Sequence, residues 1–262
     1  MEKKILYLLT CVGLCWSSCT NEVDEFIGNV EPSTRSVSTA LNANLASLFT
    51  GGAPTLTSAE IKEVNDAYDK MTSINCYRNI DEAVRNKTSY AGTIFLDDTY
   101  ASAYFRKGSL AFPPYGILAS SMEHEFIHMY QRDVQGKKVD TDKEKRDTGM
   151  MEFELAFYQG IIRYIHAGYS WTFKGEDGDP SYQSLWTSGL TDPSLIPQYE
   201  REFQTYVASI CANGKPTSID INEFVKWSNI FGEYSRGYSG KGYKFGNYDY
   251  GTSCINSLLK LY

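Results

Sequence analysis

Apolar positions recur at three- and four-residue steps over most of this chain, and alternation is confined to one short region. Thr57-Ser58-Ala59-Glu60 reads as a capping box, and Ile61, Val64, Tyr68 and Met71 follow it on one face, which predicts a helix near 57–74. The next apolar run, 93–96, is strand-like. Residues 101–112 alternate in part, are rich in aromatics, carry Gly108 at a turn and stop at Pro113-Pro114. Leu118, Met122, Phe126 and Met129 predict a helix over 117–134. Residues 150–167 are helical and apolar on most faces, and Leu195, Tyr199, Phe203, Tyr206 and Ile210 form the stripe of a helix over 195–212. A shorter helix is expected over 221–231, and 255–261 closes the chain as a short helix or strand. Helix dominates, and a small antiparallel or mixed sheet precedes the central helix, so the expected class is α+β.

Between these elements lie three segments without periodicity. Residues 136–149 read as a solvated surface loop, because nine of the eleven residues from Lys137 to Asp147 are charged with mixed sign. Residues 171–193 form a connector bearing Gly, Asp, Ser and Pro. Residues 232–251 hold six Gly and five Tyr, which suits irregular packing or a cleft lining.

The first residues belong to targeting rather than to the fold. Lys3 and Lys4 precede an apolar stretch of about ten residues, the length of a signal-peptide core and too short to span a bilayer. Ser17 and Ser18 then precede Cys19. A small pair before a cysteine resembles the lipobox of bacterial lipoproteins, in which that cysteine is acylated. Trp16 stands where that family usually has Leu, and Cys15 is a rival preceded by Leu14. The expected organisation is a signal peptide over 1–18, a flexible tether over 19–38 beginning at lipidated Cys19, and one domain over 39–262. An ordinary cleaved signal peptide is the alternative. Glu22, Asp24 and Glu25 just after the cysteine resemble surface-export signals of some Gram-negative lipoproteins. The expected location is therefore the outer membrane or cell surface of a Gram-negative bacterium, held through the lipid anchor, with the periplasm as alternative.

Composition narrows the function. Hydrophobic residues make up 42% and charged residues 22%, ordinary for a folded domain. With 25 basic and 32 acidic residues the net charge is −7, and no basic stripe is present, so nucleic acid is not an expected partner. Cys76, Cys211 and Cys254 are too few and too scattered for a disulfide scaffold or a zinc knuckle. One disulfide, with Cys211–Cys254 as a pairing to examine, and one buried thiol are compatible with an oxidising envelope.

Only three histidines occur, and two of them lie in His124-Glu125-Phe126-Ile127-His128. Residues four apart share a helical face, so both imidazoles can address one ion. Glu125, about 100° round the helix, sits at the edge of that face, where a carboxylate can act as a base without ligating. This HExxH pattern resembles the active-site helix of the zincin metallopeptidases, and the stretch Ser121–Gln131 carries the resemblance. The resemblance implies a zincin-like fold and a bound Zn2+. It also implies attack by an activated water on a carbonyl, with Glu125 as general base, and an edge strand that pairs with an extended peptide substrate.

A third protein ligand is required. Metzincins place a His six residues after the second; here that residue is Val134. His166 lies far downstream and reads as a packed histidine. Gluzincins take a Glu from a second helix, and Glu152 and Glu154 fall there. The pattern Glu152-x-Glu154-x-x-x-Tyr158 resembles a gluzincin helix in which the first Glu ligates, implying a metal set of His124, His128 and Glu152. The helical wheel points the other way: Glu154 shares the stripe of Met150, Phe157 and Ile161, where a carboxylate needs a partner or a metal. Glu154 therefore stays open as the alternative third ligand, or as a partner of a ligating His. An Asp ligand (Asp133, Asp140, Asp142 or Asp147) would mark another branch. The family often supplies a Tyr or His to the oxyanion; Tyr158, Tyr238 and Tyr243 are candidates.

The expected function is an envelope-anchored zinc metallohydrolase, most simply a gluzincin-type peptidase acting on peptides or proteins outside the cytoplasm. Hydrolysis of a non-peptide amide is a variant of it. The alternative from another class is a lipid-anchored module that binds peptides or glycans, with a vestigial or structural site. The intact Glu125 separates the two, since a binder needs no base beside the metal.

Overall fold

A computed structural model of the chain describes residues 40–137, 145–166, 190–243, 245 and 251–262. The expected signal, Cys19 and tether lie outside the described residues. The elements are α1 (Ala43–Leu48), α2 (Ser58–Ser73), α3 (Asn75–Lys87), β1 (Ile94–Leu96), β2 (Tyr104–Arg106), β3 (Ser109–Phe112), α4 (Ala119–Met129), α5 (Lys145–His166), α6 (Ile196–Ile210), β4 (Cys211–Ala212), β5 (Lys215–Pro216), α7 (Ile221–Tyr234) and α8 (Gly251–Leu259). Helices are thus combined with a small mixed sheet ahead of the central helix.

The capping box at Thr57 forms: its hydroxyl accepts from the Glu60 amide, and the Glu60 carboxylate accepts from the Thr57 amide at 2.6 Å. The helix ends at Ile74, and α3 follows at once with no side-chain cap. Sequence periodicity missed α3. Its buried face, Cys76, Tyr77, Ile80, Asp81 and Val84, contains a carboxylate. Asp81 is tolerated there because Tyr68 donates to it at 2.8 Å and Arg85 at 2.9 Å.

The sheet runs in the order β1-β3-β2, with β1 parallel and β2 antiparallel to β3. Lys107 and Gly108 join β2 to β3 with φ of 52° and 78°, both left-handed, as a two-residue hairpin requires. Arg106 then pairs with Ser109 in the hydrogen-bonded register. Phe105, opposite Leu110, turns its amide away from β3 toward the outer edge.

The central helix α4 packs against α2, α3, α5 and β2. Met122, Phe126, Ile127 and Met129 are fully buried in one cluster that reaches from Leu45 to Leu259. A π-helical turn, Tyr130–Val134, extends α4 to the end of the predicted helix. Helix α5 begins at Lys145, inside the segment read as a loop; its first residues are charged, and the charge run concealed the helix start. Phe153 and Phe157 of α5 pack on Phe224, Phe231 and Phe203, joining α5 to α6 and α7. No helix among the described residues is long and apolar enough to cross a membrane.

Phe153 is fully buried and touches the Phe157, Phe224 and Phe231 rings. Phe153→Ala should cost about 3–5 kcal/mol, read as a lower midpoint in urea unfolding at an unchanged slope; a loss under about 1 kcal/mol would contradict this packing.

Candidate metal centre

Two neighbouring helices build the site. Helix α4 presents His124 and His128 one turn apart, with their Nε2 atoms 3.1 Å from each other. Helix α5 brings Glu152 between them: Oε1 lies 3.2 Å from His128 Nε2, and Oε2 lies 3.6 Å from His124 Nε2. The three donor atoms fall within 4.8 Å of one another, the one such His/Cys/Asp/Glu group among the described residues. His124 is buried, while 14% of the His128 and 21% of the Glu152 side-chain surface stays open. The group therefore keeps partial contact with solvent through His128 and Glu152 rather than lying wholly inside the core.

Glu125 is buried beside the group, its Oε1 4.0 Å from His124 Nε2. The outward amide of Phe105 on β2 faces its carboxylate and slightly favours the charged form. Burial raises its proton affinity above the usual Glu range, and the neighbouring imidazoles only partly offset that. At the opposite side, the Tyr238 hydroxyl donates to Glu152 Oε2 at 3.0 Å. Tyr238 packs against the Phe231 and Tyr243 rings, so the Gly/Tyr-rich tail reaches the site through the Tyr238 hydroxyl. Tyr158 does not: it lies in the core against Tyr77.

Electrostatics divide the three groups. Burial pulls the His128 imidazole toward neutrality. The Glu152 carboxylate facing it, with Glu125 and Gln131, outweighs that and lifts its pKa to about 9. Burial likewise opposes charge on Glu152, yet His128, His124 and Tyr238 bring its pKa down to about 2. Burial and the neighbouring His128 hold the His124 pKa below the ordinary value. Without a metal the group is thus one imidazolium, one carboxylate and one neutral ring, and a cation that binds must displace a proton from His128.

Glu154 takes a different place. It is fully buried, as the helical wheel requires, but it faces Lys137 at 3.1 Å and Gln131 at 3.1 Å rather than the imidazoles. The core carboxylate is matched by a lysine instead of an ion. Lys137 was read as part of a solvated charged loop; its side chain is only 14% exposed. Gln131, which sequence reasoning assigned no role, lies between Glu154 and His128. The signal was present, since Gln131 is three residues beyond His128 on the same face. Asp133 is engaged by Arg132 and Tyr90. Asp140 and Asp142 lie outside the described residues, as do the side chains of Asp147, His166 and Cys254, so the Cys211–Cys254 pairing falls there too. Cys76 is the buried thiol, its pKa pushed up to about 12 by burial.

Comparison of the chain with family models, with curated proteins and with solved structures gives no match. The geometry of the group therefore carries the functional reading unaided.

The charge state predicts a pH signature for the metal-free protein. His128, raised from 6.5 to about 9, stabilises the fold fully below 6.5 and loses that effect as pH rises through 9. Glu152, lowered from 4.5 to about 2, contributes above 4.5 and loses it as pH falls through 2. In the presence of chelator, the Tm difference between wild type and Glu152→Gln should favour wild type most between pH 4.5 and 6.5 and shrink on both sides. A pH-independent difference would contradict the pairing.

Proposed function

We propose that this chain is a zinc-dependent hydrolase, a peptidase in its substrate class, with His124, His128 and Glu152 as metal ligands and Glu125 as general base. The single observation that carries the reading is the arrival of Glu152 from α5 beside two imidazoles spaced as HExxH. The donor set fits zinc: two imidazoles and one carboxylate, with ligand atoms all within 4.8 Å of one another. A zinc ion held there would supply Lewis acidity, lowering the pKa of a water to about 7 and polarising a carbonyl.

The chain's own residues do the rest. Glu125, raised in proton affinity by burial, takes a proton from the attacking water and returns it to the departing amine. A ligand-only site has no use for such a base, and this favours hydrolysis over the binding-module alternative. His128 holds a proton in the resting site, so loading the ion is coupled to releasing it. Strand β2 is an edge strand beside the site, but its outward Phe105 amide faces Glu125 rather than an open edge. Export and anchoring through Cys19 belong to the same proposal and rest on Lys3, Lys4, the apolar core after them and the Ser17-Ser18-Cys19 junction.

Glu125→Gln tests the assignment. It should lower the rate of cleavage of a mixed peptide library by about 10²–10⁴-fold while the purified chain keeps the zinc content of wild type. Equal cleavage by the two proteins, each shown to be zinc-loaded, would overturn the catalytic reading. Loss of zinc in Glu125→Gln would instead contradict its placement outside the ligand set.

A further inference from the structure

One buried polar chain leads away from the site and is not used by the hydrolytic reading: His128, Gln131, Glu154 and Lys137. His128 Nδ1 lies 2.9 Å from Gln131 Oε1. The Gln131 amide nitrogen points the other way, to the Met151 carbonyl at 3.1 Å and to Glu154 Oε2 at 3.1 Å. Lys137 Nζ closes the chain at 3.2 and 3.1 Å from the two Glu154 oxygens. Gln131 and Glu154 are both fully buried.

The direction of every bond in this chain is forced. A backbone carbonyl and a carboxylate paired with a lysine only accept, so the end of Gln131 that meets both must be its NH₂. Turned over, the amide would set its oxygen against two other oxygens in a fully buried site. The amide oxygen is therefore the end facing His128, and an amide oxygen only accepts. It follows that His128 carries a proton on Nδ1, and that Nε2 is the nitrogen left to address a cation.

We infer that Gln131 is a positioning residue for the metal ligand His128: it fixes the protonated Nδ1 and directs Nε2 into the site, and its own orientation is locked by Met151 and the Glu154–Lys137 pair. The inference rests on the reading of His124, His128 and Glu152 as a metal site and deepens it. It also assigns a task to Glu154. The carboxylate buried two residues from Glu152 is no ligand; it keeps the amide from turning over. Lys137 pairs with both oxygens of that carboxylate, so a residue at the edge of the charged segment reaches the metal ligand through two hydrogen-bonded neighbours.

The test uses the full chain loaded with zinc. Chelator competition should give Gln131→Leu a zinc affinity about 10–100-fold weaker than wild type, the usual cost of removing the partner of a ligating imidazole. Gln131→Met keeps the length and much of the packing of the side chain without the amide. It should bind zinc about as weakly as Gln131→Leu, which a packing role alone would not give. Nitrogen-15 NMR of zinc-loaded wild type should show the His128 proton on Nδ1, exchanging slowly with solvent, and that proton should exchange rapidly in Gln131→Leu. A packing role alone would lower stability without moving this resonance.

Should Gln131→Leu fail to fold, the wild-type spectrum and Gln131→Met decide. Unchanged zinc affinity in a folded Gln131→Leu overturns the inference. So does a His128 proton on Nε2 in the zinc-loaded wild type, or a Gln131→Met that binds zinc as tightly as wild type. Wild type that binds no zinc overturns the metal reading itself, and this inference with it.

Discussion

A carboxylate brought by one helix into the face of two imidazoles on another is the constraint on which the site depends. Glu152 meets His128 at 3.2 Å and His124 at 3.6 Å. A negative charge placed in that partly buried corner is stable only against positive charge, whether a proton on His128 or a cation. The same attraction that lifts the His128 pKa to about 9 and lowers that of Glu152 to about 2 is available to a divalent ion, in exchange for that proton. The packing of α4 against α5 delivers the three groups, and the aromatic cluster of Phe153, Phe157, Phe224 and Phe231 fixes α5 from its far side.

The buried acidic groups of the described residues show how differently one chain can compensate similar charges. Asp81 is matched by Tyr68 and Arg85, and Glu154 by Lys137 and Gln131. Glu154 is met by donors on both oxygens and Asp81 on Oδ2 alone, and both are closed to solvent. Glu125 has the Phe105 amide and nearby imidazoles, and burial leaves its proton affinity raised. A closed carboxylate is structural; one whose proton affinity burial raises beside two imidazoles is a candidate to move a proton.

Much of this was legible in the sequence, for identifiable reasons. The helices with a cap signal or a long apolar stripe, such as the one opened by Thr57, follow their periodicity. So does the hairpin around Gly108, because its turn needs left-handed backbone. Helix α3 was hidden because its inner face includes Asp81, and the start of α5 because charged residues there resemble a solvated loop. At the site, spacing alone brought His124 and His128 to one face. It could not choose between Glu152 and Glu154, since both lie on inward faces of α5 and the decision rests on what stands opposite each. Lys137, far from Glu154 along the chain, is what turns Glu154 away from the imidazoles. The role of Gln131 likewise depends on Met151 and Glu154 lying across from it, a tertiary fact with no signature of its own beyond a three-residue step from His128.

The central claim is that His124, His128 and Glu152 close on a single ion. X-ray absorption at the zinc edge of the loaded full-length chain tests it most directly. The account predicts one zinc per chain bound by nitrogen and oxygen donors at about 2.0–2.1 Å, with outer-shell scattering from two imidazoles that falls to one in His124→Ala. A spectrum without imidazole scattering, or one dominated by sulfur, would contradict it.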